Sequence, residues 1–147
     1  KRVRFTLIDE SYNANPASIN SALDTLIKIE QFEEKKIEGI KITNRRIAVL
    51  GDMLELGKDE IREHQKIKDL KALENIDVIH CVGERMAKLF SSLPEKKKGF
   101  WTKTADEMSD KIIKKIKNRD IISVKGSFSM NMKHITLGLK ELQGSNL

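Results

Sequence analysis

The sequence predicts a three-layer α/β sandwich of Rossmann-like type with a mainly parallel sheet, and three observations carry that prediction. Short apolar runs alternate with amphipathic segments of helical length along the whole chain, the pattern of βαβ units joined by right-handed crossovers. The run Ile47–Leu50 is continuously apolar, as in a strand covered on both faces. Polar loops follow Ile8, Leu50 and Val124, and in a parallel sheet those three strand ends emerge on one edge.

Val3–Asp9 is the first expected strand. Ala17–Glu34 follows as a helix, because Ile19, Ala22, Leu23, Leu26, Ile27 and Ile29 recur at spacings of three and four. Gly39 and Asn44 mark a loop before the strand Ile47–Leu50. Lys58–Leu73 reads as a helix with Ile61, Ile67, Leu70 and Leu73 toward the core, and Asp77–Val82 as a strand ending at Gly83. A short helix, Glu84–Leu93, is closed by Pro94, and Phe100–Thr102 suits a short edge strand. Ala105–Lys117 is a helix with Met108, Ile112, Ile113 and Ile116 on one side. Asp120–Val124 is the next strand and Met130–Leu142 the last helix, with the tail from Gly144 expected to fray.

At 147 residues, 39% hydrophobic and 34% charged, the chain has the length and apolar content of one domain. No apolar run approaches the ~20 residues that span a bilayer. The basic start Lys1-Arg2-Val3-Arg4 has no long apolar run after it, so it is not a secretory signal, and the missing initiator Met suggests a fragment or a processed chain. The one cysteine, Cys81, excludes an internal disulfide and sits in an apolar run, as a buried strand residue does. The net charge of +6 raises nucleic acid as a partner, but the lysines are dispersed and aromatics are only 5% of residues, too few for an RNA stacking platform. No Gly-x-Gly-x-x-Gly follows the first strand and no P-loop occurs anywhere, so an ATP-dependent reaction needs a second domain for its phosphates and Mg²⁺. His64, His80 and His134 are scattered, with no metal-ligand spacing.

The octet Asp9-Glu10-Ser11-Tyr12-Asn13-Ala14-Asn15-Pro16 supplies donors and acceptors suited to a ribose, a base edge or a phosphate. Equally, Asn and Ser there suit a helix cap and turn, with Pro16 in the first helical turn. Together with Ala17-Ser18, with Arg45-Arg46-Ile47-Ala48-Val49-Leu50-Gly51-Asp52-Met53-Leu54-Glu55-Leu56-Gly57, and with Val124-Lys125-Gly126-Ser127 followed by Ser129-Met130, the octet resembles the C-terminal domain of the Mur ligases. The three segments stand in the family's order over nearly the whole chain. This sequence departs from the family at Glu10, where a second Asp is usual, at Phe128, where an Arg often stands, and at Lys133, where an acidic residue is common.

The resemblance implies that residues 1–143 close over a nucleotide held mainly by a central ATPase domain, with an N-terminal domain for a UDP-sugar peptide. It also adds an antiparallel strand to the sheet. The implied reaction is amide formation through an acyl phosphate in peptidoglycan synthesis. Its substrates are UDP-N-acetylmuramoyl-tripeptide and D-alanyl-D-alanine, its cofactors ATP and Mg²⁺, and its setting a cytoplasmic monomer without nucleic acid. The isolated chain would be inactive, with no catalytic side chain of its own. Nucleotide contacts are expected from Asp9, Tyr12, Asn13 and Asn15, and from Arg46 or Arg45 just before the second strand. Tyr12 stacks on a ring or packs the loop, and the arginines are otherwise a solvated pair. Asp52, Lys125, Gly126 and Ser127 are expected to position substrate, Asp52 either by taking an amine or by bracing its loop. Pro16, Gly51 (as a tight turn) and His64 are expected to organise loops, His64 otherwise forming a surface pair with Glu60. Two other readings remain: another Mur or folylpolyglutamate-type ligase, and a non-catalytic nucleotide- or RNA-binding module.

Overall fold

The computed structural model describes residues 3–29, 36–37, 40–41 and 44–144. Its elements are β1 (Thr6–Glu10), α1 (Pro16–Lys28), β2 (Lys36–Ile37), β3 (Ile40–Lys41), β4 (Arg46–Gly51), α2 (Glu60–Gln65), β5 (Val78–Val82), α3 (Ala87–Ser92), β6 (Lys98–Thr102), α4 (Ala105–Ile112), β7 (Ile121–Lys125) and α5 (Lys133–Gly144). Five strands form one sheet in the order β1-β7-β4-β5-β6, every pairing parallel.

The strand period of two sorts the core into two layers. Ala48 and Leu50 of β4, with Ile79 and Cys81 of β5, face Ile19, Leu23 and Leu26 of α1 and Met86 and Leu89 around α3. Ile47 and Val49, with Ile122 and Val124 of β7, face Met108 and Ile112 of α4 and Ile135 and Leu139 of α5. Helices on both faces explain why these strands are apolar without alternation.

The antiparallel strand is corrected: among the described residues the only antiparallel pairing is the two-residue ladder of β2 with β3, a sheet of its own. Residues 30–34, into which the first helix was expected to run, and residues 145–147 of the tail expected to fray lie outside the described residues; α5 itself reaches Gly144.

The expected helix Lys58–Leu73 is instead α2 flanked by 3-10 turns, and Leu70, which is extended (φ −68°, ψ 129°), breaks the run between the last two of them. Three carbonyls beyond that break, of Leu73, Glu74 and Ile76, accept from Lys97 Nζ at 2.8, 3.2 and 2.6 Å. The middle residue of the lysine run therefore secures backbone rather than facing only solvent. The helix expected over Ala105–Lys117 ends as α4 at Ile112, and a 3-10 turn at Phe128–Met130 precedes α5.

One topological detail positions the site. β7 lies between β1 and β4, yet it leads to α5 on one face, whereas β1 leads to α1 on the other. The connections diverge at the carboxyl ends of these neighbours and leave a crevice there, where open α/β sheets bind ligands.

Candidate functional site

The β1 loop is built around Asp9. Its Oδ1 accepts from the Ser11 amide at 3.1 Å and the Ser11 hydroxyl at 2.6 Å, and its Oδ2 from Lys140 Nζ at 3.2 Å. Burial pushes its pKa up, but the bonds from Ser11 and the Lys140 charge outweigh that and hold the carboxyl below its ordinary 3.8. Asp9 is therefore an anion at neutral pH. Tyr12 is 64% exposed, which excludes a packing role in the core. Asn13 Oδ1 accepts from the Ala14 amide at 2.9 Å, so its NH₂ remains to donate outward.

Asn15 is the N-cap of α1: its Oδ1 accepts from the Ser18 amide while Ser18 Oγ accepts from the Asn15 amide, both at 2.9 Å. That capping box commits Asn15 Oδ1 to the start of α1, where Pro16 begins the helix.

The β4 loop is held from three directions. Asp52, buried to 2% exposure, accepts from the Met86 amide at 2.9 Å, the Arg85 amide at 3.3 Å and Arg85 Nη1 at 3.4 Å. Arg85 Nε also donates to Glu60 at 2.7 Å, tying the turn after β5 to α2. His64 is buried, not paired at the surface. Its Nε2 accepts from the Met53 amide at 2.9 Å, which makes Nδ1 the protonated nitrogen, donating to the Glu60 carbonyl at 2.5 Å. Gly83 has φ +107°, and a Cβ there would strike the Asp52 carboxylate. Asp52 thus braces the loop.

The β7 loop locks onto the β4 loop. Ser127 Oγ accepts from the Leu54 amide at 2.9 Å, and the Ser127 amide donates to the Asp52 carbonyl at 3.3 Å. The tight turn expected at Gly51 is corrected to a close approach. A Cβ at Gly51 would lie 2.7 Å from Met132 Sδ, and one at Gly126 would lie 2.5 Å from Met132 Cγ. The two glycines make room for one buried thioether between the ends of β4 and β7. Lys125 is buried, its Nζ 3.9 Å from Glu10 Oε2 and 5.7 Å from the centre of the Tyr12 ring.

Two adjoining clefts open over this edge. One, of about 360 Å³, is lined by Asn13, Ala14, Leu54, Glu55, Ser127, Phe128 and Ser129. The other, of about 320 Å³, is lined by Ser11, Tyr12, Phe128, Ser129, Asn131 and Lys133.

Arg45 and Arg46 do not join this edge. They stand at the start of β4, the far end of a parallel sheet, and their forks are engaged there. Arg45 donates to Asp120 at 2.9 and 2.7 Å, and Arg46 to the carbonyls of Leu26 and Ile29 at 3.2 and 2.9 Å. Sequence reasoning missed Arg85 and Met132, and nothing local signals either: Arg85 lies 33 positions from Asp52.

The family model described as Mur ligase, glutamate ligase domain, matches residues 1–128. The chain is 30% identical over 141 residues to the UDP-N-acetylmuramoyl-tripeptide–D-alanyl-D-alanine ligase of Haemophilus influenzae, an alignment covering 92% of this chain and 27% of that one. It is 40% identical over 78 residues to the enzyme of the same name from Mycobacterium bovis, over 53% of this chain and 14% of that one. The crystal structure of MurF from Acinetobacter baumannii superposes with TM-score 0.73 at 26% identity, over 92% of this chain and 27% of that one. The fold is shared with MurF from Thermotoga maritima in complex with ADP, at TM-score 0.71 and 16% identity, over 100% of this chain and 30% of that one. The chain thus spans roughly a quarter or less of these curated relatives' length. With the matched model covering all three loops as far as Phe128, the chain belongs to the Mur ligase family.

Proposed function

We propose that this chain is the closing domain of an ATP-dependent ligase that joins D-alanyl-D-alanine to UDP-N-acetylmuramoyl-tripeptide in peptidoglycan synthesis, in the cytoplasm. The observation that carries this reading is the meeting of the β1, β4 and β7 loops on three neighbouring strands, at the point where their connections diverge. The relatives supply the substrate names.

Of the residues on that edge, three suit a nucleotide. Asp9 is held ionised, with Oδ2 placed to accept from ribose hydroxyls; Asn13 has its NH₂ to donate; Tyr12 has an exposed ring face for a base. ATP, when bound, supplies the phosphoryl group that turns the tripeptide carboxylate into an acyl phosphate. The described residues offer no group of three His, Cys, Asp or Glu placed to hold a metal, so no step through Mg²⁺ is assigned to them. What the chain contributes is placement of the incoming amine and exclusion of water, which protects a reactive acyl group and raises effective concentration. In the amide-forming step the amine nitrogen bonds the acyl carbon, the carbon–oxygen bond to phosphate breaks, and nitrogen gives up a proton.

Phosphate release by the complete gene product tests this. Release is expected only when ATP, UDP-N-acetylmuramoyl-tripeptide and D-alanyl-D-alanine are all present, with one phosphate per amide formed, and none is expected from the 147-residue chain alone. A folded full-length protein that releases no phosphate with all three would refute the assignment.

A further inference from the structure

We infer that the amino edge of the sheet, at the strand ends opposite the β1, β4 and β7 loops, is a peripheral docking face for the acidic phospholipid surface of a membrane. The inference stands apart from the reaction proposed above and assigns no residue to it.

The argument begins with where the positive charge lies. The segments that lead into β1, β7 and β6 bring five exposed cations to this edge: Arg4, then Lys114, Lys115 and Lys117, then Lys96. Because β1 and β6 are the two outer strands, these cations span the sheet, a width of about 20 Å at ~4.8 Å per strand. None of the five forms an ion pair with a described residue.

The carboxylates beside them are spent elsewhere. Asp120, whose side chain is 1% exposed, is turned inward to Arg45 at 2.7 Å. Asp77 accepts from the Arg46 amide at 2.7 Å, and Glu95 pairs with Lys98 at 2.8 Å. Glu74 is left as an acid without such a partner. At the carboxyl edge, by contrast, cations are matched: Lys140 with Asp9, Arg85 with Asp52 and Glu60, Lys125 with Glu10, Lys103 with Glu84. The excess of positive charge therefore sits at one end of the strands.

The backbone beneath the cations is fixed. Arg45 Nη2 donates to the Lys115 carbonyl at 3.1 Å, and the Lys117 amide to Asp120 Oδ2 at 2.8 Å. The Arg4 amide donates to Asn118 Oδ1 at 2.8 Å, and the Arg119 amide to the Arg4 carbonyl at 2.7 Å. These bonds hold Arg119 at φ +74°, a conformation that a non-glycine residue keeps only where its surroundings impose it. Arg4 and the lysine loop are thus joined as one platform.

The chemistry of the face selects the partner. The exposed large apolar side chains lie elsewhere: Tyr12 and Phe128 at the carboxyl edge, Trp101 near the carboxyl end of β6, and Leu137 on α5. Among the described residues the amino edge therefore offers neither a stacking platform for bases nor an aromatic anchor for a protein partner. Its free cations are four lysines and one arginine, and lysine acts as a point charge rather than as a fork for one fixed phosphate. Glu74 and Glu95 stand among them and oppose a rigid array of phosphates. A fluid leaflet needs only net positive charge, and its headgroups rearrange around such acids. Docking by this edge leaves the three loops, about 16 Å away along five-residue strands, facing water.

The test is co-sedimentation of the 147-residue chain with vesicles of phosphatidylcholine, alone or mixed with phosphatidylglycerol. Binding is expected only to the mixed vesicles. It should be lost as salt rises from about 0.1 to about 1 M, where the screening length falls from ~10 to ~3 Å. Each lysine near an acidic surface tightens binding about fivefold. Lys96→Gln should therefore weaken it about fivefold, and Lys114→Gln/Lys115→Gln/Lys117→Gln about a hundredfold. Lys103→Gln, at the other edge, should leave it unchanged. With a nitroxide on the lipid headgroup, the ¹⁵N-labelled chain should lose amide signal at Arg4, Lys96 and Lys115 and keep it at Tyr12 and Leu54.

Equal binding to both vesicles, no binding to either, or a triple variant that binds like the parent would overturn the inference. Tighter binding to duplex DNA than to mixed vesicles at the same salt, lost in the same triple variant, would overturn the lipid surface as the partner and put a nucleic acid on this edge. The phosphate-release assay is untouched by any of these results.

Discussion

Replacing Asp52 by Asn separates the two roles that a strand-end aspartate can play, bracing its loop or binding an amine. The substitution keeps shape and leaves Oδ1 able to accept from the Met86 amide. It also puts an NH₂ where the Arg85 amide and guanidinium already point N–H groups at 3.3 and 3.4 Å. A hydrogen bond to a charged acceptor contributes about 1.5–3 kcal/mol. The guanidinium contact is long and its side chain 37% exposed, so it adds about 0–1 kcal/mol. Asp52→Asn should therefore destabilise the chain by about 2 kcal/mol. Asp52→Ala also leaves the buried Met86 N–H without a partner and should cost about 3–5 kcal/mol. Urea unfolding at pH 7 measures both as shifts in midpoint at constant slope. An Asn variant as stable as the parent, with weakened dipeptide binding, would refute the brace and make Asp52 an amine ligand. An Ala variant costing under about 1 kcal/mol would refute the bond geometry itself.

Three other outcomes follow from the same structure. Gly126→Ala forces a methyl against Met132 Cγ and should cost about 1–3 kcal/mol by overpacking, with part of the loss recovered in a Gly126→Ala/Met132→Ala double variant; strict additivity of the two losses would exclude the shared space. Asn15→Ala should lose about 1 kcal/mol in thermal unfolding through the capping box, with nucleotide affinity of the complete protein unchanged, whereas Asn13→Ala should reverse that pattern. His80, buried and accepting from the Phe100 amide, has its pKa lowered from 6.5 to about 4 by burial and the nearby Arg45 charge. The unfolded chain takes up that proton first, so the contribution of neutral His80 is full above pH 6.5 and declines toward pH 4, by about 3 kcal/mol in all; a His80→Gln variant whose stability falls by as much as the parent's over that range would show that other groups are responsible.

The layered parallel sheet was legible because both of its causes are local. Apolar runs such as Ile47–Leu50 need cover on two faces, and stripes such as Ile19-Leu23-Leu26 supply it. The cap at Asn15 was legible for the same reason, since Asn-Pro-x-Ser carries its own bonds within four residues. Arg45 and Arg46 were expected to contact the nucleotide from just before the second strand; residues that precede a parallel strand lie at the end opposite the β1, β4 and β7 loops, and their partners Asp120, Leu26 and Ile29 are fixed only by packing. The roles of His64 and Asp52 were posed as alternatives and needed distance to decide them, because their partners Met53, Arg85 and Met86 are fixed only once the sheet and helices pack. Lys97 was the least legible: within Lys96-Lys97-Lys98 nothing marks the one side chain that turns inward to three carbonyls.

Met132 touches the ends of two strands at once, inside the protein and out of reach of any ligand. That makes its methyl group a natural gauge. Labelled with ¹³C, it would report the spacing of the β4 and β7 loops as a single sharp resonance, free of direct ligand contact. A substrate that settles on a rigid edge would leave the resonance where it is. One that pries the loops apart would move it, and the size of the movement would measure how much of the recognition is built into the domain before anything arrives.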